Sequence, residues 1–238
     1  MSISIVRLGV IGYAEAFALQ KALGEARRAG DVEDTLLLLQ HPPTITHSHT
    51  GRGRENLVAS PEVLAARGVV VEPTDRGGNI TFHGPGQLVA YPVLQLGDGE
   101  QDLHGYLRRL EEVILSVCAE FGFDGARVPG RTGIWRPDGS AKIAAIGVHT
   151  SRWVTRHGFA LNVDVDLSFF DLIVPCGIGD AGVTSLAAEV GAADFDAVED
   201  AVGLRFAAVF DRVVSRPSAA LSTLLRSFPG AAPQAEAS

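Results

Sequence analysis

Lysine, cysteine and methionine are nearly missing from this sequence: two lysines, two cysteines and one methionine in 238 residues. Two cysteines, Cys118 and Cys176, are too few for a disulfide framework, which leaves a reducing, cytoplasmic setting as the expectation. Long apolar runs are also lacking. The longest leucine stretch, LLLL at 36–39, is the size of a strand and far short of the roughly 18–20 residues a membrane span needs, so no membrane association is expected. The opening MSISIVRLGVIGYAEAF has no basic region followed by an apolar one, so it does not read as a signal peptide. A net charge of −8 argues against general nucleic-acid binding. No second cysteine stands at ligand spacing from the first and the histidines form no zinc motif, so no metal is expected. Neither a Gly-x-Gly-x-x-Gly turn between strand and helix nor a phosphate-loop lysine is present, which weakens any nucleotide-cradle reading.

What is present is a hydrophobic fraction of 46%, ample for the core of one domain. The pattern reads as strand 2–9, helix 13–30, buried strand 34–41, a short Ser-capped helix at 60–68, strands across 69–96, a long amphipathic helix 102–122, antiparallel strands 126–163 and a helix 196–214. Strands in runs with unevenly spaced helices favour an α+β fold with a mostly antiparallel sheet over a doubly wound parallel one. Residues 1–216 read as a single domain. From about Pro217 the Ala/Ser/Pro-rich composition to residue 238 suggests a loosely ordered tail.

Charge is unevenly placed. Residues 127–157 carry Arg127, Arg131, Arg136, Lys142, Arg152 and Arg156 against Asp138 alone, whereas 189–200 hold five acids and no base. That fits a basic surface for an acidic partner, or ordinary solvated faces. Of the 20 basic residues 18 are arginine, and Lys21 and Lys142 are the exceptions. Lysine can surrender a proton when its surroundings lower its pKa and arginine cannot. Lys21 falls in a helical pattern and reads as a surface residue. Lys142 begins a strand.

Three stretches could carry chemistry. RGGNITFHGPGQLVAYP (76–92) is a glycine-rich turn in which Asn79, Thr81 and His83 share one strand face. It reads either as a plain hairpin or as the floor of a site. KIAAIGVHTSRWVTRHGFALNV (142–163) interrupts its alternation with Gly147 and Gly158, where a ligand or another backbone can come close. Small residues at 144, 145, 147, 158 and 160 leave room for an apolar chain, or simply pack the sheet tightly. LIVPCGIGDAG (172–182) puts Cys176 on a turn, between Pro175 and Gly177. Its thiol is a nucleophile only if a cation or base favours the thiolate, and Lys142, His83, His149 and His157 are the candidates; otherwise it is an inert turn cysteine. Cys118, amid Val, Leu and Ala on a helix, reads as a small core hydrophobe.

Together, RGGNITFHGPGQLVAYP, KIAAIGV, HGFALNV and PCGI resemble the octanoyltransferase family, also called lipoate-protein ligase B, over roughly residues 5–215. The resemblance implies the biotin/lipoate protein ligase-like, class II synthetase-related fold. It implies transfer of an octanoyl or lipoyl group from octanoyl-acyl carrier protein to a lysine of lipoyl domains, those of 2-oxoacid dehydrogenase E2 subunits and of the glycine-cleavage H protein, without cofactor. Carried over residue by residue, the catalytic pair is Cys176 and Lys142. The acyl-binding segments are Arg76, Gly77, Gly78, Asn79, Ile80, Thr81, Phe82 and His83; Ala145, Ile146 and Gly147; and Gly158, Phe159 and Ala160. His149 is a further candidate for lining the site, and the chain is expected to act as a monomer. Two rival readings are an ATP-dependent lipoate or biotin ligase, for which HTGRGREN (49–56) has a passing likeness to the Gly-Arg-Gly-Arg loop of biotin ligases, and a non-catalytic acyl-carrier binding protein.

Overall fold

A run of four leucines can serve two cores if its strand lies in the middle of a sheet. That is what strand β2 (Asp34–Gln40) does: Leu36 and Leu38 pack on one face and Leu37 and Leu39 on the other, all fully buried. The structure is a computed structural model that describes residues 1–48, 53–174 and 181–231. Among the described residues there are twelve strands and six α-helices.

The chain enters through β1 (Ser2–Val10), crosses to helix α1 (Tyr13–Ala29) and returns through β2. Helix α1 carries Arg27 and Arg28 in its last turn, where they complement the helix dipole, and stops at Gly30 in the left-handed conformation (φ 83°). Next come β3 (Thr44–Ser48), α2 (Pro61–Ala66), β4 (Val70–Thr74), β5 (Thr81–His83) and β6 (Gln87–Val93). Helix α3 (Leu103–Glu120) starts at an Asp102 cap and precedes β7 (Ala126–Val128), β8 (Arg131–Trp135), β9 (Ala141–Ser151) and β10 (Val154–Asn162). Strand β11 (Gly182–Val183), α4 (Leu186–Val190), α5 (Phe195–Val209), β12 (Val213–Ser215) and α6 (Ala219–Arg226) complete the order.

The main sheet runs β12-β1-β2-β6-β10-β9-β8-β7, with β11 alongside β9. It is antiparallel from β2 through β7 and parallel where β1 meets β2 and β12 and where β11 meets β9. Helices α3 and α5 cover one face through Leu110, Ile114, Val117, Val202 and Phe206; α1 and α6 cover the other through Leu19, Leu23, Leu221 and Leu225. This is an α+β domain with helices on both faces of a mixed sheet. A smaller sheet, β4-β3-β5, packs Ile45 and Phe82 against Phe170 and Leu172. The Gly-rich turn joins β4 to β5.

Two readings of the C-terminal part change. The helix expected over 196–214 ends at Val209: Asp211 takes φ 50°, and Arg212 turns inward to pair with Asp34 at 3.0 Å and Glu100 at 2.7 Å, so that Val213–Ser215 run as β12 beside β1. Residues after Pro217 are ordered through Ala231 rather than loose. Ser218 caps α6, and Leu221 and Leu225 are buried against α1. An apolar i, i+4 pair outweighs the composition there. Residues 232–238 lie outside the described residues.

Candidate active site

Strands β9 and β10 pair so that Gly147 faces Gly158 and Ala145 faces Ala160. At both glycines the space is taken by backbone. A Cβ on Gly147 would stand 2.7 Å from the Gly77 carbonyl oxygen; one on Gly158 would strike Ala90 O and Pro92 Cδ on β6. Gly147 therefore lets the Arg76–Gly78 turn lie directly on β9, where the Gly77 N–H donates to Val148 O at 2.9 Å. Arg76 locks the turn from its other side by donating to Thr46 O (3.1 Å) and Thr46 Oγ1 (2.9 Å). Asn79 Oδ1 accepts from its neighbour's N–H, Ile80 N, at 2.7 Å and from Asn56 Nδ2 at 3.2 Å.

The turn, β9 and β10 enclose a cavity of about 570 Å³. Arg76, Gly77, Gly78, Asn79, Ile80, Thr81 and His83 line it from the turn and β5. Lys142, Ala145, Ile146 and Gly147 line it from β9, and Gly158, Phe159 and Ala160 from β10. Two residues assigned to the site by sequence do not line it. Phe82, between Thr81 and His83, points to the opposite face of β5 and stacks on Phe169 with ring centroids 4.8 Å apart. His149 stands at the far end of β9, in a second, smaller cleft with Lys21, Arg28 and Arg156, its Nδ1 3.2 Å from Asp75 O. Cys176 lies outside the described residues, as do residues 49–52 of the HTGRGREN stretch.

Lys142 is buried on β9. Its ammonium lies 4.6 Å from the centroid of the Trp135 ring, a cation–π placement that holds a charge where little water reaches. Strand β11 passes beside it: Val183 pairs with Lys142, and Thr184 N–H donates to Lys142 O at 2.9 Å.

One end of the cavity is built from four rings, two of which the sequence did not mark. Tyr13 and Tyr91, two of the three tyrosines, line it with His83 and His157. Their scarcity was the available signal; their meeting depends on the packing of α1 over the sheet. Behind them, His41 Nδ1 donates to Ile11 O at 2.7 Å and its Nε2 accepts from the Tyr91 hydroxyl at 2.9 Å. Tyr13 donates to Thr74 Oγ1 at 2.7 Å. Burial pushes His41 down to about 4, His83 well below its ordinary value and His157 down, so all three imidazoles are neutral near pH 7. Burial pushes both tyrosines up. His83 Nδ1 donates to Gln87 Oε1 (2.7 Å), Gln87 Nε2 to Asn162 Oδ1 (2.9 Å), and Asn162 Nδ2 to Thr184 O (2.8 Å). This relay ties the cavity wall to the residue that follows β11. Leu103, Leu107, Gly130, Arg131, Thr132 and Val148 complete the lining and were also not foreseen.

The basic stretch 127–157 is paired within the fold more than its sequence suggested. Arg127 bridges Glu111 and Glu112, Arg136 meets Glu189 and Arg156 meets Asp75, each with at least one contact at 3.0 Å or less. Arg7 reaches the acidic segment at Glu199 and Asp200. Cys118 is fully buried, with its thiol pushed up to about 12 by burial, as suits a core residue. Among the described residues no three His, Cys, Asp or Glu side chains are grouped to hold a metal, and no helix is long and apolar enough to cross a membrane.

Comparison with known proteins adds to this geometry. The lipoyl protein ligase A/B catalytic domain model matches residues 12–207. The octanoyltransferase of Chloroflexus aggregans is 52% identical over 223 residues, covering 93% of this chain and 99% of that protein. That of Acidobacterium capsulatum is 52% identical over 201 residues, 80% of this chain and 81% of that protein. Among solved structures, a putative lipoate protein ligase from T. acidophilum with bound lipoic acid superimposes with a TM-score of 0.78 at 17% identity, over 95% of this chain and 94% of that one. A lipoate-protein ligase A bound with ATP gives 0.78 at 16%, over the same shares of the two chains. At these identities the structural likeness speaks for the fold.

Proposed function

The chain belongs to the octanoyltransferases within the lipoyl protein ligase A/B catalytic family, and we propose that it moves an octanoyl group from octanoyl-acyl carrier protein to a lysine of lipoyl domains through a thioester on Cys176. The observation that carries the reading is the setting of Lys142, a buried lysine on the wall of a largely apolar cavity, in a chain that otherwise writes its positive charges as arginine.

The described residues flanking Cys176 support it. Val174, two residues before the cysteine, donates its N–H to Asn56 O at 2.7 Å, and the Asn56 side chain holds Asn79 on the cavity wall. On the other side the chain continues as Gly182–Val183, paired with Ala141–Lys142. Both flanks are fastened to the walls of the cavity that contains Lys142.

In the proposed reaction Lys142, as an ammonium, steadies the Cys176 thiolate. The thiolate adds to the octanoyl thioester carbonyl, the carrier's C–S bond breaks, and Lys142 gives its proton to the departing thiolate. The acceptor amine then adds to the acyl-enzyme carbonyl, passing a proton to the Lys142 amine as the amide forms and the Cys176 thiolate leaves. Splitting the transfer in two lets one cavity hold the acyl chain throughout. Ile80, Ala145, Ile146, Phe159 and Ala160 give that chain an apolar bed.

The test is intact mass after mixing with octanoyl-acyl carrier protein, with and without ATP. The expected result is a gain of one octanoyl group on Cys176 without ATP, discharged by a lipoyl domain. A Cys176→Ala protein that still forms the adduct, or labelling that needs ATP and free octanoate, would overturn the proposal.

A further inference from the structure

Lys142 stands where the alternation of a strand would not put it. Between β8 and β9, Ile134 pairs with Ala144 and Trp135 with Lys142, so one step along β8 answers two along β9, and Ile143 is the extra residue of a bulge. Paired residues share a face, and successive residues of a strand face opposite ways. Ile134 and Ala144 lie together in the core that α3 covers with Leu110 and Ile114. In an unbroken strand Lys142, two residues from Ala144, would point into that core as well. The bulge turns it to the other face, beside Trp135 and onto the cavity wall.

Strand β8 makes room for this. Gly133 has φ 112°, and a Cβ there would collide with the Ala144 carbonyl oxygen and stand 3.6 Å from Lys142 Cε, so its bare backbone lets the bulge and the lysine stem come close. The Gly133 N–H donates to Glu111 Oε1 on α3 at 3.4 Å. Trp135 then receives the ammonium, 4.6 Å from its ring centroid. The ring is itself fixed: it is 1% exposed, its Nε1–H donates to Arg131 O at 3.3 Å, and the Arg131 guanidinium carbon lies 5.5 Å from its centroid. A lysine stem is long and flexible, and an indole face attracts its ammonium without bringing a negative charge that would repel a thiolate. Trp135 is not among the residues that line the cavity, so its influence on the substrate passes through Lys142.

We infer that Trp135 is the positioning residue for Lys142: the β9 bulge turns the lysine out of the α3 core, and the indole face fixes its ammonium on the cavity wall. The inference rests on the acyl-transfer reading, in which that ammonium steadies the Cys176 thiolate. A ring that only filled the core would matter for stability alone. A ring that places the ammonium governs how readily Cys176 reacts and how fast the octanoyl thioester is attacked, and it leaves donor binding alone.

The experiment places Trp135→Leu and Trp135→Phe in the unmodified protein and in Lys142→Gln. Two rates are read: alkylation of Cys176 by iodoacetamide, in which the buried Cys118 does not compete, and single-turnover acylation by octanoyl-acyl carrier protein. In the unmodified background Trp135→Leu is expected to slow both by roughly tenfold or more, with the half-saturating donor concentration held within about twofold. Trp135→Phe, which keeps a ring face, is expected to stay within about threefold on both rates. Added to Lys142→Gln, Trp135→Leu is expected to change the alkylation rate by less than about twofold. Equal losses in both backgrounds, or no loss in either, overturn the inference. Trp135 emission in Trp153→Phe, which leaves one tryptophan in the chain, reads the contact without altering the ring. Lys142→Gln is expected to change that emission, and an unchanged spectrum overturns the inference even where Trp135→Leu fails to fold. Octanoyl transfer through Cys176 that ignores Trp135 sinks only this inference, whereas an emission change in a protein that never acylates Cys176 sinks only the transferase reading.

Discussion

Replacing Gly147 with alanine tests how the cavity wall is assembled. In most positions with ordinary backbone angles, Gly→Ala stabilises by about 0.4–1 kcal/mol because the unfolded chain loses freedom. At Gly147 the sign should reverse. The new methyl would sit 2.7 Å from Gly77 O and 3.1 Å from Arg76 Cδ. Carbon contacts settle near 3.5–4 Å, so the turn must retreat by roughly half an ångström or more. It cannot do so freely, since Gly77 is bonded to Val148 and Arg76 to Thr46. Overpacking costs about 1–3 kcal/mol and a weakened hydrogen bond about 0.5–1.5 kcal/mol, against the gain above, for a net loss near 2 kcal/mol. Urea unfolding reads the stability, and octanoyl transfer reads the site: a displaced Arg76–Gly78 wall should lower kcat/KM by tenfold or more. Gly99→Ala is the control, with nothing within 4 Å of its added methyl and a small gain expected. If Gly147→Ala proves as stable as Gly99→Ala and retains full transfer, the turn is not braced on β9 in the manner described.

Two further outcomes are expected. Burial lowers His41 from 6.5 to about 4, so the unfolded chain takes up its proton first as pH falls; the stability this histidine contributes is intact above pH 6.5 and lost toward pH 4. That difference of roughly 2.5 pH units corresponds to about 3 kcal/mol, or nearly 1.4 kcal/mol per pH unit at its steepest, with His83 and His157 adding in the same direction. Urea titrations between pH 7 and 5 should show this slope and His41→Gln should flatten it; a flat profile in the unmodified protein refutes the buried neutral cluster. Lys142→Arg keeps the charge over Trp135 but cannot pass a proton, so kcat for octanoyl transfer should fall by about a hundredfold or more while the fold survives; near-normal turnover would remove Lys142 from the proton path.

How far the sequence could be read depended on the range of the interaction. The two-residue and 3.6-residue periods placed β2, α1 and α3 because those patterns act within a single element. The same period should have removed Phe82 from the site. Carrying a contiguous family motif onto a strand ignores that Thr81 and His83 face one way and Phe82 the other. His149 was misplaced for a related reason: Val148 beside it lines the cavity, but the His149 side chain belongs to the second cleft with Lys21, Arg28 and Arg156. Tyr13, Asp75 and Tyr91 could not be reached by local reasoning at all. They meet His83 and His157 only once α1 crosses the sheet and the β4–β5 turn settles on β9.

The two lysines show where composition stops and structure begins. Their scarcity among eighteen arginines marked both alike. The structure separates them. Lys21 lies on the exposed side of α1 with its ammonium 3.9 Å from the Phe17 ring centroid, a contact that an arginine could also make. Lys142 is buried on the wall of the acyl-sized cavity, and β11 pairs beside it just after the segment that carries Cys176. A chain that uses arginine at nearly every basic position has reason to keep lysine where a buried charge must also pass a proton, as the proposed reaction asks. That reasoning applies to residue 142 and not to residue 21. Lys21→Arg should therefore leave octanoyl transfer within about twofold of the unmodified protein under the same assay in which Lys142→Arg lowers it by about a hundredfold or more.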